Sequence, residues 1–336
     1  MTKTNKQVQL EQQPEGAPTE KDFRVVETEM PSPKEGEFLA KNLFLSLDPY
    51  MRGAIAGKHM GHSRLNQGDL IGGRCAAEII DSKNSNYQVG EKIIIESGWQ
   101  EYVLSCGVES DGIRKIKESK AHISTSLGVL GMPGLTAWAG VECLSKPTLG
   151  ETFVVTAAAG PVGGTAGQLA KLKGARVVGI AGSNEKCSIA IEEYGFDACV
   201  NYNQKNWLEA LAKECPQGID IYFDNVGGIV LDQISDQLNL YGRILLCGFV
   251  SQYGNAEWHG HNLGRYVAKR ANLLSIVVYD YYDRFNDFLD VAIPLVEAGK
   301  IRYKEDTVKG IDLAPTHFSK LMSGKNVGKA IVEFDG

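Results

Sequence analysis

A run of small residues near the middle of the chain has the composition of a phosphate-binding turn. Residues 157–164 have the sequence AAAGPVGG. The pyrophosphate of a dinucleotide is bound by backbone N–H groups and by the positive end of a helix, which requires that no side chain stands in the way. Gly160 and Gly163 would permit that close approach. The chemistry predicted from these residues is therefore the binding of a dinucleotide.

The segments on both sides of this turn are those that a dinucleotide site needs. Residues 153–156 are an apolar run, as expected for a strand buried on both faces. A helix is predicted over 165–173, with Gly167 allowing it to pack closely on the strand, and a second strand over 176–180. This order is the first half of a dinucleotide-binding unit. Ala158 replaces the first glycine of the G-x-G-x-x-G fingerprint, so an ordinary strand-to-helix connection is the alternative interpretation.

Strands and helices continue to alternate after this unit, as a doubly wound parallel sheet requires. Ser183 or Asn184 is expected to cap the helix that follows the second strand. Further predictions are helices over 207–214 and 231–240 and a last strand over 273–279. Residues 248–271 contain Gly, His, Trp and Asn without clear periodicity, which is typical of a functional loop.

The first third of the chain has a different pattern, with short strands separated by Gly, Pro and Asn. Such evenly spaced strands between residues 6 and 125 indicate a small barrel or folded sheet. At 336 residues the chain is long for one hydrophobic core, and the small-residue segment 128–140 marks the entry to a second domain. The β-α-β pattern at the C-terminal end is expected to return to the first domain. We therefore predict a catalytic domain of residues 1–128, completed by 301–336, and a nucleotide-binding domain of residues 129–300.

Composition and charge narrow the classes of partner. A net charge of −6 argues against nucleic acid or an anionic membrane as the main partner, and no apolar run reaches membrane-spanning length. The seven cysteines are scattered and include no C-x-x-C pair, which is typical of a reduced, cytoplasmic protein. His59 and His62 form an H-x-x-H pattern, but no cysteine lies near them. Two solvated loop histidines are therefore expected rather than a metal site.

Six stretches distributed along the chain resemble the zinc-free medium-chain dehydrogenases/reductases. They are LSLDPYMRG (45–53), LGVLGMPGLTAWAG (127–140), AAAGPVGGTAGQLAKLKG (157–174), FDNVGG (223–228), GRILLCGFVSQY (242–253) and GKNVGKAIV (324–332). The most similar branch contains the prostaglandin reductases, leukotriene B4 dehydrogenases and curcumin reductases. The resemblance implies an α/β chain with a GroES-like β-barrel catalytic domain, a Rossmann domain with a doubly wound parallel sheet, and a homodimer. It also implies metal-free reduction by NADP(H) of the carbon–carbon double bond of α,β-unsaturated ketones or aldehydes.

The same resemblance implies which residues contact the cofactor. They are Gly160, Pro161, Val162, Gly163, Lys186, Tyr202, Asn225, Cys247, Gly248, Phe249, Val250, Ser251, Tyr253, Ile276, Val277, Val278 and Asn326. Lys186 and Tyr202 correspond to positions that hold the 2′-phosphate of NADP(H). No carboxylate stands at 179–184, where NAD-specific proteins bind the ribose hydroxyls. Pro161 departs from the small residue usual in the family and lacks an N–H, although proline suits the first position of a helix.

Two tyrosines are candidates for a catalytic hydrogen-bond donor. A metal-free reductase needs a donor to the carbonyl oxygen, on which negative charge builds up during reduction. Tyr253 is the first candidate because it ends a segment implied to line the cofactor, Tyr50 is the second, and the nicotinamide ribose 2′-hydroxyl is a further one. Without the resemblance, Tyr50 would be interpreted as an aromatic at a barrel edge and Tyr253 as a loop anchor. Cys247 is expected to be a small buried residue rather than a nucleophile, since no histidine lies near it.

Two other functions are compatible with the same residues. A quinone reductase belongs to a related zinc-free branch, although LSLDPYMRG favours the branch that reduces enones. A protein that binds NADPH without catalysis, as a redox sensor or a scaffold, would keep the Gly-rich turn and lack turnover. A panel of electrophiles therefore distinguishes the three functions.

Overall fold

The computed structural model describes residues 4–108, 112–252 and 262–335. These residues form two compact units, which are described separately. The β-rich unit contains the described chain up to Leu127 and again from Glu305 onwards, and the parallel-sheet unit contains the described residues from Gly128 to Lys304. None of the helices in these ranges combines the length and the apolar composition that a bilayer-crossing segment needs.

The N-terminal part of the β-rich unit consists of short strands and one helix. The elements are β1 (Thr4–Leu10), β2 (Phe23–Glu29), β3 (Phe38–Ser46), α1 (Tyr50–Ile55), β4 (Cys75–Ser82), β5 (Lys92–Ile95), β6 (Tyr102–Ser105) and β7 (Arg114–Lys115), with 3₁₀ helices at Glu20–Asp22 and Ile123–Leu127. Strands β1 and β2 pair antiparallel without a bulge. Short strands separated by turns are what the N-terminal sequence pattern predicts.

The parallel-sheet unit alternates strands and helices. The elements are α2 (Met132–Trp138), β8 (Thr152–Thr156), α3 (Pro161–Leu172), β9 (Arg176–Ala181), α4 (Asn184–Ser188), β10 (Ala198–Asn201), α5 (Trp207–Glu214), β11 (Ile219–Asp224), α6 (Gly228–Ser235), β12 (Leu238–Leu246), α7 (Leu263–Lys269), β13 (Asn272–Ser275) and α8 (Phe285–Glu297). Single π-helical segments, Ala139–Ser145 and Ile189–Glu193, continue α2 and α4, and 3₁₀ helices lie at Val250–Gln252 and Val278–Arg284. The strands are parallel, in the order β10-β9-β8-β11-β12-β13. Strand β8 is buried along its whole length, as a central strand of a parallel sheet must be when helices cover both faces.

The C-terminal segment belongs to the β-rich unit. It contributes β14 (Glu305–Lys309), a 3₁₀ turn at Ile311–Leu313, α9 (Ala314–Met322) and β15 (Lys329–Glu333). Strand β15 pairs antiparallel with β3, with Ile331 opposite Ser46, so it lies beside the strand that leads into α1. In the described residues the larger sheet has the order β14-β15-β3-β4-β5-β7, and β6 also pairs with β3. The predicted fold class, a β-rich domain combined with a doubly wound parallel sheet, is confirmed.

Each unit is built around its own hydrophobic core. In the β-rich unit the fully buried Trp99 stacks on Phe23 at 5.5 Å and meets the edge of Phe318 at 5.5 Å. Because Phe318 lies on α9, the C-terminal helix shares a core with the N-terminal strands. In the parallel-sheet unit, Val154 of β8 and Tyr222 of β11 are fully buried in one cluster. Complete burial of one such side chain stabilises a fold by about 1.5–3 kcal/mol.

Two predicted helices have different bounds in the structure. The helix after the Gly-rich turn begins at Pro161 instead of residue 165, since proline is well suited to a first helical position. The helix predicted over 231–240 ends at Ser235. Leu238 is already the first residue of β12 and pairs with β11, so strand pairing overrides the local helical pattern.

The last predicted strand and the loop before it also differ. The strand predicted over 273–279 ends at Ser275, where the partner strand β12 ends as well. Part of the loop predicted over 248–271 forms helix α7, which the Asn262 side chain caps by accepting a hydrogen bond from the N–H of Gly264 at 3.1 Å. The extent of a strand thus depends on its neighbour and not only on its own apolar run.

Candidate active site

The carboxyl ends of the parallel strands define the candidate nucleotide site. The chain places β8 in the middle of the sheet, then adds β9 and β10 on one side and β11, β12 and β13 on the other. The strand order therefore reverses between β8 and β11, and the loops from these two ends diverge. Ligands of doubly wound sheets bind in the crevice at such a position.

The Gly-rich turn connects the end of β8 to the first turn of α3. Gly160 is the N-cap residue in an extended conformation, and its carbonyl accepts a hydrogen bond from the N–H of Gly164 at 2.9 Å. The N–H groups of Val162 and Gly163 precede this first helical bond and project from the helix end. Pro161 occupies the first helical position, where an N–H would have no partner within the helix. The turn thus offers two donors and a positive helix end to a phosphate.

The structure explains how alanine replaces the first glycine of the fingerprint. The left-handed residue of the turn is Ala157, with a φ of 53°, and not Ala158. A Cβ on Gly179 of β9 would lie 2.7 Å from the Cβ of the fully buried Ala158. The methyl group of Ala158 therefore fills space that a glycine on the neighbouring strand leaves open. Gly167 is predicted to let the helix pack closely on the strand, and the nearest atoms to a Cβ on it belong to the ring of Phe196, in the loop before β10.

Substituting Gly163 by alanine is expected to reduce stability and NADP(H) affinity together. A Cβ at this position would lie 2.5 Å from the carbonyl oxygen of Ala157 and 2.7 Å from that of Thr156. Both are backbone atoms, so α3 must shift away from the end of β8, at a cost of about 1–3 kcal/mol. Thermal unfolding and NADPH titration measure the two effects. Gly72→Ala is the control, because its Cβ would meet no atom of the described residues within 4 Å. An unchanged Gly163→Ala protein would contradict this packing.

The second strand ends at the predicted 2′-phosphate position. Ser183 caps α4 by accepting a hydrogen bond from the N–H of Lys186 at 3.2 Å, so Lys186 lies in the first helical turn. Tyr202 follows β10, and its N–H donates to the carbonyl of Ala181 at 3.1 Å. A Cβ on Gly182 would lie 3.2 Å from the Tyr202 hydroxyl, which places this hydroxyl beside the backbone at the end of β9. Lys186 and Tyr202 therefore belong to the same corner of the sheet.

Asn225 holds together the two strands at the reversal of strand order. Its N–H donates to the hydroxyl of Thr156 and its side-chain amide donates to the carbonyl of Thr156, both at 2.8 Å. The preceding Asp224 is fully buried and accepts hydrogen bonds from the Tyr222 hydroxyl and the Val226 N–H, each at 2.9 Å. Burial raises the pKa of Asp224, while these donors oppose the shift. This scaffold role of Asn225 is not evident from the sequence, and its contact with the cofactor stays a prediction.

The segment that follows β12 runs along the turn after β11. The N–H groups of Cys247 and Gly248 donate to the carbonyl of Asp224, at 2.8 and 3.1 Å. Ser251 donates to the carbonyl of Val226 through its N–H, at 3.2 Å, and through its hydroxyl, at 2.7 Å. The predicted cofactor residues 247–251 and Asn225 are thereby brought together. Residues 276–278 follow β13 at the same edge of the sheet.

The thiol of Cys247 is not suited to nucleophilic attack. Burial, together with the nearby charge of Asp224, raises the pKa of Cys247 to about 12. A thiol with this pKa is protonated at neutral pH, and the thiolate is the nucleophilic form. Cys247 is half-buried by exposed area and not fully buried as expected, whereas the protonated thiol agrees with the expectation that it is not a nucleophile.

The β-rich unit presents Tyr50 at the start of α1. Its ring lies against the ring of His59, with centroids 4.8 Å apart, and His59 is 5.4 Å from His62. Burial and the neighbouring His62 lower the pKa of His59, so its imidazole is neutral at pH 7. The expectation of two solvated histidines is therefore wrong for His59, which is half-buried, and right for the exposed His62. The H-x-x-H spacing drew attention to His59 and His62 in the sequence, but it does not show that the ring of His59 contacts Tyr50.

The remaining predicted site residues are Asn326 and Tyr253. Asn326 lies between α9 and β15, and its side-chain amide donates to the carbonyl of Gly328 at 2.8 Å. Tyr253, the first candidate for the catalytic donor, lies outside the described residues, so its role stays a prediction. Within the described ranges, no cluster of three or more His, Cys, Asp or Glu side chains could hold a metal ion.

The residues at this edge of the sheet fit a bound NADP(H). Among the described residues, a Cβ on Gly160 would meet only the Ala157 carbonyl at 3.1 Å and the Ala157 Cβ at 3.9 Å within 4 Å, which leaves space for a pyrophosphate at the end of α3. Residues 182–184 include no carboxylate that would repel a 2′-phosphate, whereas Lys186 adds a positive charge nearby. Both features are of the chemical type that NADP(H) requires.

Comparison with known proteins covers both parts of the chain. A family model described as the N-terminal domain of oxidoreductase matches residues 6–115, and one described as zinc-binding dehydrogenase matches residues 161–297. The chain is 40% identical to the NADPH-dependent curcumin reductase of Escherichia coli (strain K12), over 99% of this chain and 97% of that protein. It is 39% identical to the NADP⁺-dependent 2-alkenal reductase of Nicotiana tabacum, over 98% and 97% of the two chains.

A solved structure agrees with these sequence matches. CurA from Vibrio vulnificus in complex with NADPH has a TM-score of 0.92 with this chain at 37% identity, covering 98% of this chain and 99% of the other. Identity at this level over nearly the whole length shows common descent as well as a common fold. The resemblance found in the six sequence stretches is confirmed, and the chain belongs to the zinc-free medium-chain dehydrogenase/reductase family, in the branch of the curcumin and alkenal reductases.

Proposed function

We propose that this protein uses NADPH to reduce the carbon–carbon double bond of α,β-unsaturated ketones and aldehydes. The observation that carries the proposal is the similarity over nearly the whole chain to a curcumin reductase and a 2-alkenal reductase. The geometry supports it, because the carboxyl edge of the parallel sheet combines a phosphate-binding turn with a strand end, residues 179–184, that has no carboxylate, although Glu185 follows it in the first turn of α4. The proposed substrate is a small conjugated carbonyl compound.

Each unit contributes different residues to the proposed reaction. The parallel-sheet unit binds NADP(H) through the turn that begins at Gly160 and through Lys186 and Tyr202, and the β-rich unit supplies Tyr50. NADPH, when bound, provides the hydride that reaches the β-carbon of the substrate. Negative charge then develops on the carbonyl oxygen, and a hydroxyl of Tyr253 or Tyr50 donates a hydrogen bond to it. The donor lowers the energy of the enolate-like transition state without a metal.

The proposal is tested by measuring NADPH consumption with enals, enones, quinones and oxo-prostanoid-like compounds. The absorbance of NADPH follows the cofactor, and NMR of the product identifies which bond is reduced. We expect saturated ketones and aldehydes from the enones and enals. Turnover of quinones alone would instead assign a quinone reductase. Tightly bound NADPH that no compound oxidises would assign a sensor or scaffold.

Activity is expected to be independent of zinc. Zinc-dependent relatives need a Cys or His pair together with an acidic or histidine ligand, and the stretch Leu47-Asp48-Pro49-Tyr50-Met51-Arg52 contains no thiol or imidazole. Dialysis against a strong chelator should leave turnover unchanged within error. Elemental analysis of the purified protein provides the second measurement, and one zinc ion per chain together with loss of activity on chelation would refute the prediction.

We further propose that the protein is a homodimer. Strand β13 ends one side of the parallel sheet in the described residues, and Leu273 on it is 47% exposed. An apolar edge strand has unpaired backbone groups that a second copy of the same strand can pair. Light scattering at micromolar concentration should give twice the chain mass of 36.6 kDa. Leu273→Lys should shift the protein towards the single-chain mass, and a wild-type protein already at that mass would contradict the proposal.

A cytoplasmic location is also proposed. All seven cysteines lie in the described part of the chain and carry free thiols, and Cys75 and Cys215 are among the buried ones. Scattered free thiols are typical of the reducing cytoplasm. Fractionation of the source cells with immunodetection tests this location, and recovery of the protein in a secreted or membrane fraction would refute it.

A further inference from the structure

A buried ammonium group lies in the β-rich unit, next to the segment that leads to Tyr50. Lys329, the first residue of β15, is 3% exposed, and its partner Asp48 is 6% exposed. The Lys329 Nζ lies 2.9 Å from the Asp48 Oδ1 and 2.6 Å from the carbonyl oxygen of Leu47. One lysine thus binds two consecutive residues that are more than 280 positions away in the chain.

The contribution of such a pair to stability is small or unfavourable in many proteins. Removing both charges from water is costly, and replacing a buried ion pair by apolar residues of similar volume is often neutral or stabilising. Burial lowers the pKa of Lys329, and the attraction of Asp48 opposes this shift. In some proteins a buried pair imposes one conformation on the segment that carries it, and the hypothesis for this pair is the same.

The segment held by this pair is the connection between β3 and α1. Leu47 donates its N–H to the carbonyl of Ala330 at 3.1 Å, while its carbonyl accepts from Lys329. The second carboxylate oxygen of Asp48 accepts a hydrogen bond from the hydroxyl of Ser46. The carbonyl of Asp48 accepts from the N–H of Met51 at 3.1 Å, which closes the first turn of α1. Every residue from 46 to 48 is therefore held immediately before the helix begins.

The chain that follows Tyr50 in α1 is also held, by hydrogen bonds of Arg52. The Arg52 guanidinium donates to the carbonyls of Gly16 and Pro14, each at 2.9 Å. Tyr50 lies between these two anchors, and its ring rests against His59. Tyr50 is partly exposed, so the backbone anchored on both sides contributes to where its ring lies, together with the contact to His59.

We propose that Lys329 and Asp48 are positioning residues for Tyr50. They act through the connection between β3 and α1 to place its hydroxyl for catalysis. Neither charged group is assigned a contact with substrate or cofactor. The inference rests on the proposed function for the catalytic part of its claim, whereas the placement of the Tyr50 ring can be measured without turnover. If the inference is correct, Lys329 at the start of β15 affects the rate of the reaction without contacting the substrate.

The test uses the double variant Asp48→Asn, Lys329→Met. Lys329→Met alone would leave an uncompensated buried carboxylate, which strongly destabilises a fold, whereas the double variant removes both charges. Lys115→Met is the matched control, because Lys115 forms an exposed ion pair with Glu91 in the same unit. The measurements are the melting temperature, the dissociation constant of NADPH, kcat and KM for an enone, and the NMR signals of the His59 ring.

We expect the double variant to fold and to bind NADPH as the wild type does, with kcat lowered by about 10- to 100-fold because a displaced catalytic group loses its alignment. The His59 ring signals should shift, since the Tyr50 ring lies 4.8 Å away with an interplanar angle of 32°. In a Tyr50→Phe background the same double substitution should cause no further loss, because residues that act through one group are not additive. Lys115→Met should change none of these quantities.

Specific results would overturn the inference. An unchanged kcat with a changed melting temperature would mean that the pair only stabilises the fold, and additive losses in the Tyr50→Phe background would mean that it acts independently of Tyr50. Unchanged His59 signals would refute the positioning of the Tyr50 ring. If Tyr50→Phe alone keeps full activity, the proposed donor role of Tyr50 fails and with it the catalytic part of the inference, and the His59 signals still decide the placement.

Discussion

Replacing Tyr253 by phenylalanine is expected to lower kcat for a good enone by about 100- to 1,000-fold, with the affinity for NADPH nearly unchanged. Phenylalanine keeps the aromatic ring and removes only the hydroxyl, which is the proposed donor to the carbonyl oxygen. That hydrogen bond strengthens as negative charge develops, so its loss affects the transition state more than the bound substrate. Steady-state kinetics at saturating NADPH and fluorescence titration of the cofactor measure the two quantities.

Two further variants complete this experiment. Tyr50→Phe tests the second candidate, and the variant with the larger loss in kcat identifies the main donor. Tyr241→Phe is the control, because Tyr241 is 69% exposed and lies in the parallel-sheet unit away from the carboxyl ends of the strands. Unchanged turnover in Tyr253→Phe would remove Tyr253 from the mechanism, and unchanged turnover in both catalytic variants would leave the ribose 2′-hydroxyl as donor.

Replacing Lys186 by alanine is expected to raise KM for NADPH by about 10- to 150-fold and to leave KM for NADH nearly unchanged. The range corresponds to the loss of one charge-assisted hydrogen bond, and only NADPH carries the 2′-phosphate that would accept it. Lys186 lies in the first turn of α4, where its N–H is bonded to Ser183, and the Tyr202 hydroxyl lies beside Gly182 in the same corner. Initial rates with each cofactor at a fixed enone concentration give both constants.

The control for this change is another lysine on a neighbouring helix. Lys213 is exposed in the last turn of α5, so Lys213→Ala removes the same charge without removing a group from the corner. It should leave both constants unchanged. Equal increases in KM for NADPH and NADH in Lys186→Ala, or a wild-type preference for NADH, would show that Lys186 does not bind the 2′-phosphate.

Local patterns in the sequence determined the elements and several of their ends. The helix predicted over 207–214 has the same bounds as α5, and Ser183, one of the two predicted caps, accepts the capping hydrogen bond of α4. Apolar periodicity and cap residues act within a few positions, so they can be evaluated without the rest of the fold. The nature of the Gly-rich turn followed from residues 157–164 for the same reason.

The positions at which strands begin and end depend on the strands they pair with, and a local sequence pattern does not show these partners. Residues 238–240 fit the predicted helix, yet Leu238 pairs with Ile219 and begins β12. The apolar run after Ser275 fits a strand, yet β12 ends at Leu246, and the last hydrogen bond between the two segments runs from the Ile276 N–H to the Leu246 carbonyl. Strand pairing is a contact between distant segments, and the hydrogen bonds it supplies outweigh a weak local preference.

Only the tertiary structure decided how the site is held in place. The fold brings Ala158 against Gly179, which explains a glycine position occupied by alanine, and it ties Asn225 to Thr156 across two strands. It also joins Lys329 to Asp48 over 281 positions of chain. The sequence identified Tyr50 as a candidate through family resemblance. It did not show that Lys329 and Asp48 are buried, because the burial of a charged side chain depends on the residues around it. Whether a lysine is solvated or buried against a carboxylate is determined by which strands lie side by side, and this is a property of the folded chain.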